Sequence, residues 1–218
     1  MSTIAPFGSW ASPVGAADTV AGIVRFSDIQ YDDGSLYWLE MRPSEGGRTA
    51  LVRQGTDGHI SEVLPDTVSV RTMAHEYGGG AYLADGGTVV YSESEDQRLY
   101  LLAAGGDAAP LTAEPERPRS VRFADAVRMA DGTLVAVREM HPVEGEAVNE
   151  LVAVGIDGVC STIATGSDFY ASPRVSPDGE RLAWVEWDHP NMPWDGTRLV
   201  VANATDPTER SVVCLLYT

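Results

Sequence analysis

The chain repeats itself about every fifty residues, and that period limits what it can fold into. An Asp-Gly turn followed by a short apolar run occurs four times. Asp33-Gly34 precedes Leu36-Tyr37-Trp38-Leu39, Asp85-Gly86 precedes Thr88-Val89-Val90-Tyr91, Asp131-Gly132 precedes Leu134-Val135-Ala136-Val137, and Asp178-Gly179 precedes Leu182-Ala183-Trp184-Val185. The spacings are 52, 46 and 47 residues. A second turn series, Asp57-Gly58, Gly105-Gly106 and Asp157-Gly158, runs half a period later, and the polar turn from Asn203 to Asp206 takes its place in the last unit. Each unit therefore reads strand, tight turn, strand, linker, strand, tight turn, strand. Gly, Asn and Asp tolerate the positive φ that two-residue hairpins need, so such turns join antiparallel neighbours.

Four strands in 40 to 50 residues is the pattern of a propeller blade, which buries both faces only by stacking on its neighbours. A β-sandwich lacks this long period, and no apolar pattern of period 3.6 is sustained as a helical solenoid requires. The expectation is an all-β chain: a β-propeller of about four antiparallel four-stranded blades, at approximately 23–66, 67–113, 114–165 and 166–218. An N-terminal segment, 1–22, precedes them, with a short helix expected from Ala16 to Ala21.

Composition removes several functions. The net charge is −17, from 32 acidic and 15 basic residues. Phosphate and anionic-lipid contacts need clustered basic residues, so neither nucleic acid nor a membrane is expected as a partner. All 15 basic residues are arginine; without lysine there is no Schiff base and no Walker-type phosphate loop. Cys160 and Cys214 are too few for a metal site or a disulfide framework, and reduced thiols in the cytoplasm are the expectation. Met1–Pro13 lacks the basic start and long apolar core of a signal peptide.

Catalytic motifs are sought and not found. A G-x-S-x-G elbow needs a glycine two positions before its serine, and no serine here has one. His75-Glu76 opens like H-E-x-x-H, but position 79 is Gly79. His59, His75, His141 and His189 fall in different units and read as structural or surface groups, so no metal and no cofactor are expected.

Two segments depart from the repeat. Arg71–Tyr82 reads RTMAHEYGGGAY, where three glycines bring backbone close to something bulky beside a His, a Glu and a Tyr. The plainer reading is a strand start packed on the central channel, with Glu76 paired to an arginine such as Arg71. The functional reading is a substrate-binding cluster of Arg71, His75, Glu76 and Tyr77, in which Glu76, with room left beside it by the glycines at 78–80, holds a cationic end group. Trp187–Gly196 reads WDHPNMPWDG and is expected as a stiff aromatic loop after the second strand of the fourth unit. It either covers a blade edge or docks another domain through Trp187, His189 and Trp194.

At these residues the chain resembles the N-terminal propeller of the prolyl oligopeptidase family of serine peptidases, in the branch of acylaminoacyl peptidases and dipeptidyl-peptidase-like enzymes. The resemblance runs through Gly8-Ser9-Trp10-Ala11-Ser12-Pro13, Tyr37-Trp38-Leu39-Glu40 with Arg42–Arg48, His75-Glu76-Tyr77-Gly78-Gly79-Gly80, Ser176-Pro177-Asp178-Gly179 and His189–Thr197, in the family's order. It implies a seven-bladed propeller that restricts access, for short peptides, to an α/β-hydrolase domain carrying the Ser, Asp and His. That domain would be this chain's partner, and the chain alone, a fragment of about four blades, would be inactive. Ser211–Thr218 does not match the family's continuation into a fifth blade. The alternative is a stand-alone propeller used as an interaction scaffold, and a G-x-S-x-G elbow encoded downstream would decide against it.

Overall fold

A computed structural model of the chain describes residues 4, 6–9, 12–19 and 22–216. It contains four sheets of four antiparallel strands, each a simple meander. The first holds β1 (Arg25–Asp32), β2 (Ser35–Arg42), β3 (Arg48–Gln54) and β4 (Ile60–Glu62). The second holds β5 (Tyr82–Asp85), β6 (Thr88–Ser92), β7 (Leu99–Leu102) and β8 (Ala108–Pro110). The third holds β9 (Val121–Arg128), β10 (Leu134–Met140), β11 (Val148–Val154) and β12 (Cys160–Ala164). The fourth holds β13 (Phe169–Val175), β14 (Arg181–Trp187), β15 (Thr197–Asn203) and β16 (Arg210–Leu216). First strands of successive sheets neighbour one another, β1 on β5, β5 on β9 and β9 on β13. The result is a four-bladed, all-β propeller arrangement with the first strands innermost. No described helix is long and apolar enough to cross a membrane.

The cores lie between blades. Tyr37, Leu39 and Leu51 of the first blade meet Tyr82, Val89 and Tyr91 of the second. Val90 and Leu99 meet Phe123, Leu134 and Val152 of the third. Val135, Val137 and Leu151 meet Tyr170, Leu182 and Trp184 of the fourth. Strand patterns follow from this stacking. In β10, Leu134 to Val137 are all buried because both faces of the third blade are covered. In β2, Tyr37 and Leu39 are buried while Leu36 is exposed, because only one face of the first blade has a neighbour.

Three inner strands carry a bulge at the same place, where Asp28, Asp125 and Ser172 take left-handed φ of 51°, 57° and 53°. The Asp125 carboxylate stitches three blades, accepting from Gly80 N–H at 2.5 Å and Ser172 N–H at 2.8 Å. A Cβ at Gly80 would come within 2.9 Å of that carboxylate, and one at Gly79 within 3.1 Å. Glycines are needed here so that Asp125 can approach, and the room they create is filled by it rather than left beside Glu76.

Two expectations change. Residues 16–19 of the expected Ala16–Ala21 helix form turns, and residues 20 and 21 lie outside the described residues, as do Trp10 and Ala11 of the first resembling stretch. The linker after β2 contains an unanticipated single 3-10 turn, Pro43–Glu45, closed by Gly46 at φ 70°. At the other end, Arg210–Leu216 pairs with β15 as the fourth strand of its sheet.

Candidate functional site

A meander puts the first and third connections of every blade at one end of the sheet. The second connection and the linker to the next blade lie at the other end. The Asp-Gly turns thus share one face of the blade array, the turn face. The segments 63–81, 141–147, 165–168 and 188–196 share the opposite loop face. Both segments that depart from the repeat fall there, and the structure brings them together.

Segment 63–81 is pinned before it reaches the site. Val70 N–H donates to Thr49 O at 2.8 Å and Arg71 N–H to Ser92 O at 3.0 Å. The fully buried Gln97 accepts from Met73 N–H at 2.6 Å and donates to Arg71 O at 3.2 Å. The chain then turns through two successive left-handed residues, His75 at φ 56° and Glu76 at φ 63°. Consecutive non-glycine residues in this region are costly and persist only where surrounding contacts fix them.

Glu139 provides the fixing contact. It is 2% exposed, and its Oε2 accepts from His75 N–H at 2.6 Å. Its Oε1 accepts from Arg122 Nη1 at 3.1 Å and lies 2.6 Å from His141 Nε2. Arg122 Nη1 also donates to Met73 O at 2.8 Å and to Glu76 Oε1 at 2.7 Å. Arg122, Glu139 and Asn149 are register partners on β9, β10 and β11, so they form one polar row across the loop end of the third blade.

The aromatic segment supplies the opposite wall. Trp187 is buried at the end of β14 rather than within the loop, and Phe169 stacks on it at 5.2 Å. The His75 ring lies edge-on to both, at 5.4 Å from Phe169 and 5.7 Å from Trp187. His189 meets Phe169 edge-on at 4.9 Å. Asp168 accepts from His189 N–H at 2.8 Å, and Arg198 bridges Glu186 and Asp188, which holds the loop down. Between the walls is a cavity of about 430 Å³.

Of the residues singled out from sequence, His75, Glu76 and His189 line this cavity. Tyr77 is exposed, with its ring 5.6 Å from that of His75. Arg71 is exposed and contributes through its backbone, and the arginine that pairs with Glu76 is Arg122. Trp194 is exposed farther along the loop. The histidines lie in different units, yet His75, His141 and His189 converge on one cavity while His59 lies in a turn on the opposite face.

Sequence reasoning missed Arg122, Glu139, His141, Asn149 and Phe169. A signal existed in Leu-Val-Ala-Val-Arg-Glu-Met, where Arg138 and the carboxylate of Glu139 interrupt a strand otherwise apolar on both faces.

The electrostatics are set by burial and by Arg122. Burial pushes the His75 imidazole below its ordinary pKa, so the ring is neutral at pH 7. The bond from Arg122 holds the Glu76 carboxyl below the usual carboxylate range. Glu76, Glu139 and His141 bring ligating atoms within 4.8 Å of one another, but the Arg122 guanidinium already occupies both carboxylates. The buried His75 and Asn149 side chains partner each other at the cavity wall, which offsets part of the effect of burial on the imidazole.

No protein-family model and no curated protein matches the chain. Solved structures do. A Mycobacterium tuberculosis puromycin-hydrolyzing peptidase is 38% identical with a TM-score of 0.82, over 97% of this chain and 34% of that one. A puromycin hydrolase is 32% identical with a TM-score of 0.80, over 93% of this chain and 34% of that one. A mutant puromycin hydrolase complexed with PGG is 31% identical with a TM-score of 0.85, over 96% of this chain and 35% of that one. The chain spans about a third of the length of these relatives.

Proposed function

This chain is a β-propeller segment homologous to the prolyl oligopeptidase-family puromycin hydrolases, and from that kinship we propose that it is the non-catalytic, gating part of a cytoplasmic serine peptidase of short peptides. The observation that carries the reading is the match itself, which takes in 97% of this chain but only 34% of the relative. The remainder has room for further blades and for an α/β-hydrolase domain. Exposed apolar residues favour further blades: Phe26, Ile29 and Tyr31 on β1, and Val212 and Val213 on β16, present surface that a seven-bladed ring would cover.

In this reading the acyl-enzyme chemistry belongs to the hydrolase domain. The propeller closes one side of the active site and admits only chains that thread past it. The loop face meets the hydrolase domain, with Trp194 and His189 at the contact. Glu76, exposed and ionised, faces the incoming peptide with His75 and Tyr77 beside it.

The test is an exchange. The homologous third of the Mycobacterium tuberculosis puromycin-hydrolyzing peptidase is replaced by this chain, and hydrolysis of aminoacyl chromogenic substrates is measured. An active chimera, with no activity from the chain alone, is the expected result. A chimera that melts cooperatively yet hydrolyses nothing, or fluorophosphonate labelling of any serine in this chain, would overturn the reading.

A further inference from the structure

We propose that Asp33-Gly34, the turn between β1 and β2, is where this chain converts spontaneously to isoaspartate, and that the conversion loosens the tie between the first two blades. The seven Asp-Gly pairs in the sequence are not equivalent. The reaction needs two groups free to meet, the aspartate carboxyl carbon and the nitrogen of the following glycine. Six of the seven carboxylates are held. Asp57, Asp131, Asp157 and Asp178 each accept from the amide two residues on, at 2.9 to 3.1 Å. Asp85 pairs with Arg128, and Asp195 accepts from Met192 N–H at 2.9 Å. Such bonds favour the ionised carboxylate over the neutral acid that a nitrogen attacks. Five of the glycine amides are held as well. Gly58, Gly132, Gly158 and Gly179 donate to the carbonyl three residues back at 2.8 to 2.9 Å, and Gly86 donates to Asp32 at 3.0 Å.

Among the described residues, neither the Asp33 carboxylate nor the Gly34 amide has a hydrogen-bond or ion-pair partner, and both residues are exposed. Asp33 is also the one aspartate of the seven at left-handed φ, 40°, a strain that opening the turn relieves. The step balances with water as its only reagent. Gly34 N bonds to Asp33 Cγ, its proton and the carboxyl OH leave as water, and a five-membered succinimide closes. Water then adds to the former backbone carbonyl carbon of Asp33. That carbon's bond to Gly34 N breaks, and the nitrogen takes a proton from the water. The main chain now runs through Asp33 Cγ and is one carbon longer, and the old carbonyl carbon has become a free carboxylate. The lengthened turn follows Asp32 directly. The Asp32 carboxylate accepts from Gly86 N–H at 3.0 Å and from Gly87 N–H at 2.9 Å, which ties the first blade to the second. A displaced Asp32 loses that grip.

The full chain is aged in neutral buffer, folded and in parallel in urea, and then digested. Isoaspartate is located by electron-transfer fragmentation, which separates it from aspartate at equal mass. In the folded chain it should form at Asp33 about tenfold or more faster than at any other Asp-Gly pair, the rate factor for a site with no carboxylate hydrogen bond to break. In urea the seven pairs should react at similar rates, because the fold no longer distinguishes them. Asp33→Asn, which a left-handed turn tolerates, should convert faster still, with ammonia leaving in place of water. Asp33→Glu, one methylene too long for the five-membered ring, should stay unmodified at that position. Amide exchange at Gly86 and Gly87 should quicken as Asp33 converts and stay constant in Asp33→Glu aged alike. An even spread over the seven pairs in the folded chain, a faster site elsewhere, or the same preference for Asp33 in urea would overturn the assignment. Unchanged exchange at Gly86 and Gly87 in the converted chain would overturn the loosened tie.

Discussion

The two faces of the blade array are built on different principles. On the turn face one local solution is reused. Gly55-Thr56-Asp57-Gly58-His59 in the first blade and Gly155-Ile156-Asp157-Gly158-Val159 in the third make the same bonds. The first glycine donates to the carbonyl of the fifth residue at 2.9 Å, and the second glycine donates back to the carbonyl of the first at 2.9 Å. The aspartate accepts from the fifth amide at 2.9 and 3.1 Å. On the loop face the connections differ from blade to blade, although the Trp38 and Trp184 indoles each donate to the glutamate two residues on, at 2.9 and 2.8 Å. Glu139 reaches back 64 residues to His75, and Arg122 reaches back 46 to Glu76. The turn face is held mostly by local hydrogen bonds within each hairpin, with ties between neighbours where Asp32 accepts from the Gly86 and Gly87 amides and Arg128 pairs with Asp85. A loop face made of long-range charged bonds is where blades differ, and so where a site can be specific.

That contrast can be broken by substitution. Glu139→Leu should have the largest effect, because it leaves Arg122 and the His75 amide without their buried acceptor. Removing one partner of a buried charge pair costs about 3–5 kcal/mol, which thermal or urea unfolding would register. An unchanged melt would show that Glu139 does not hold the turn. Gly58→Ala on the turn face should cost only about 1 kcal/mol, the penalty of a Cβ at left-handed φ, since φ is 77° and nothing lies within 4 Å of the added atom. It should leave amide exchange in the loop-face segment 73–78 unchanged, and altered exchange there would mean the faces are coupled.

The smallest effect expected is in pH. Burial lowers the folded pKa of His75 below the ordinary imidazole value of 6.5. The unfolded chain therefore takes up the proton first as pH falls. Stability is complete above 6.5 and declines as pH drops from there towards the folded pKa. His75→Phe should remove that part of the acid sensitivity. An identical pH profile in the variant would show that the imidazole is not held neutral.

The same contrast explains what the sequence disclosed. Asp-Gly turns and alternating strands are local chemistry, and they were sufficient to read four blades and their strand order. The two segments that broke the repeat were visible for the same reason. Their meeting was not, because it depends on how the second, third and fourth blades stack. Nothing local in His141 or Asn149 marks them, and the Arg122–Glu139 bond needs the β9–β10 register, which a bulge between Val135 and Val137 shifts. The glycines at 78–80 misled for a related reason. The space they create was visible, but Asp125, which fills it, comes from the next blade.

The most direct test of the account is to find which face a hydrolase domain covers. Amide hydrogen exchange of the chain would be measured alone and with the α/β-hydrolase part of a puromycin-hydrolyzing relative. The account predicts slowed exchange in segments 73–78, 141–147 and 188–196, with the turns at 33–34, 57–58 and 157–158 unchanged. Protection of those turns, with the loop-face segments unaffected, would contradict it.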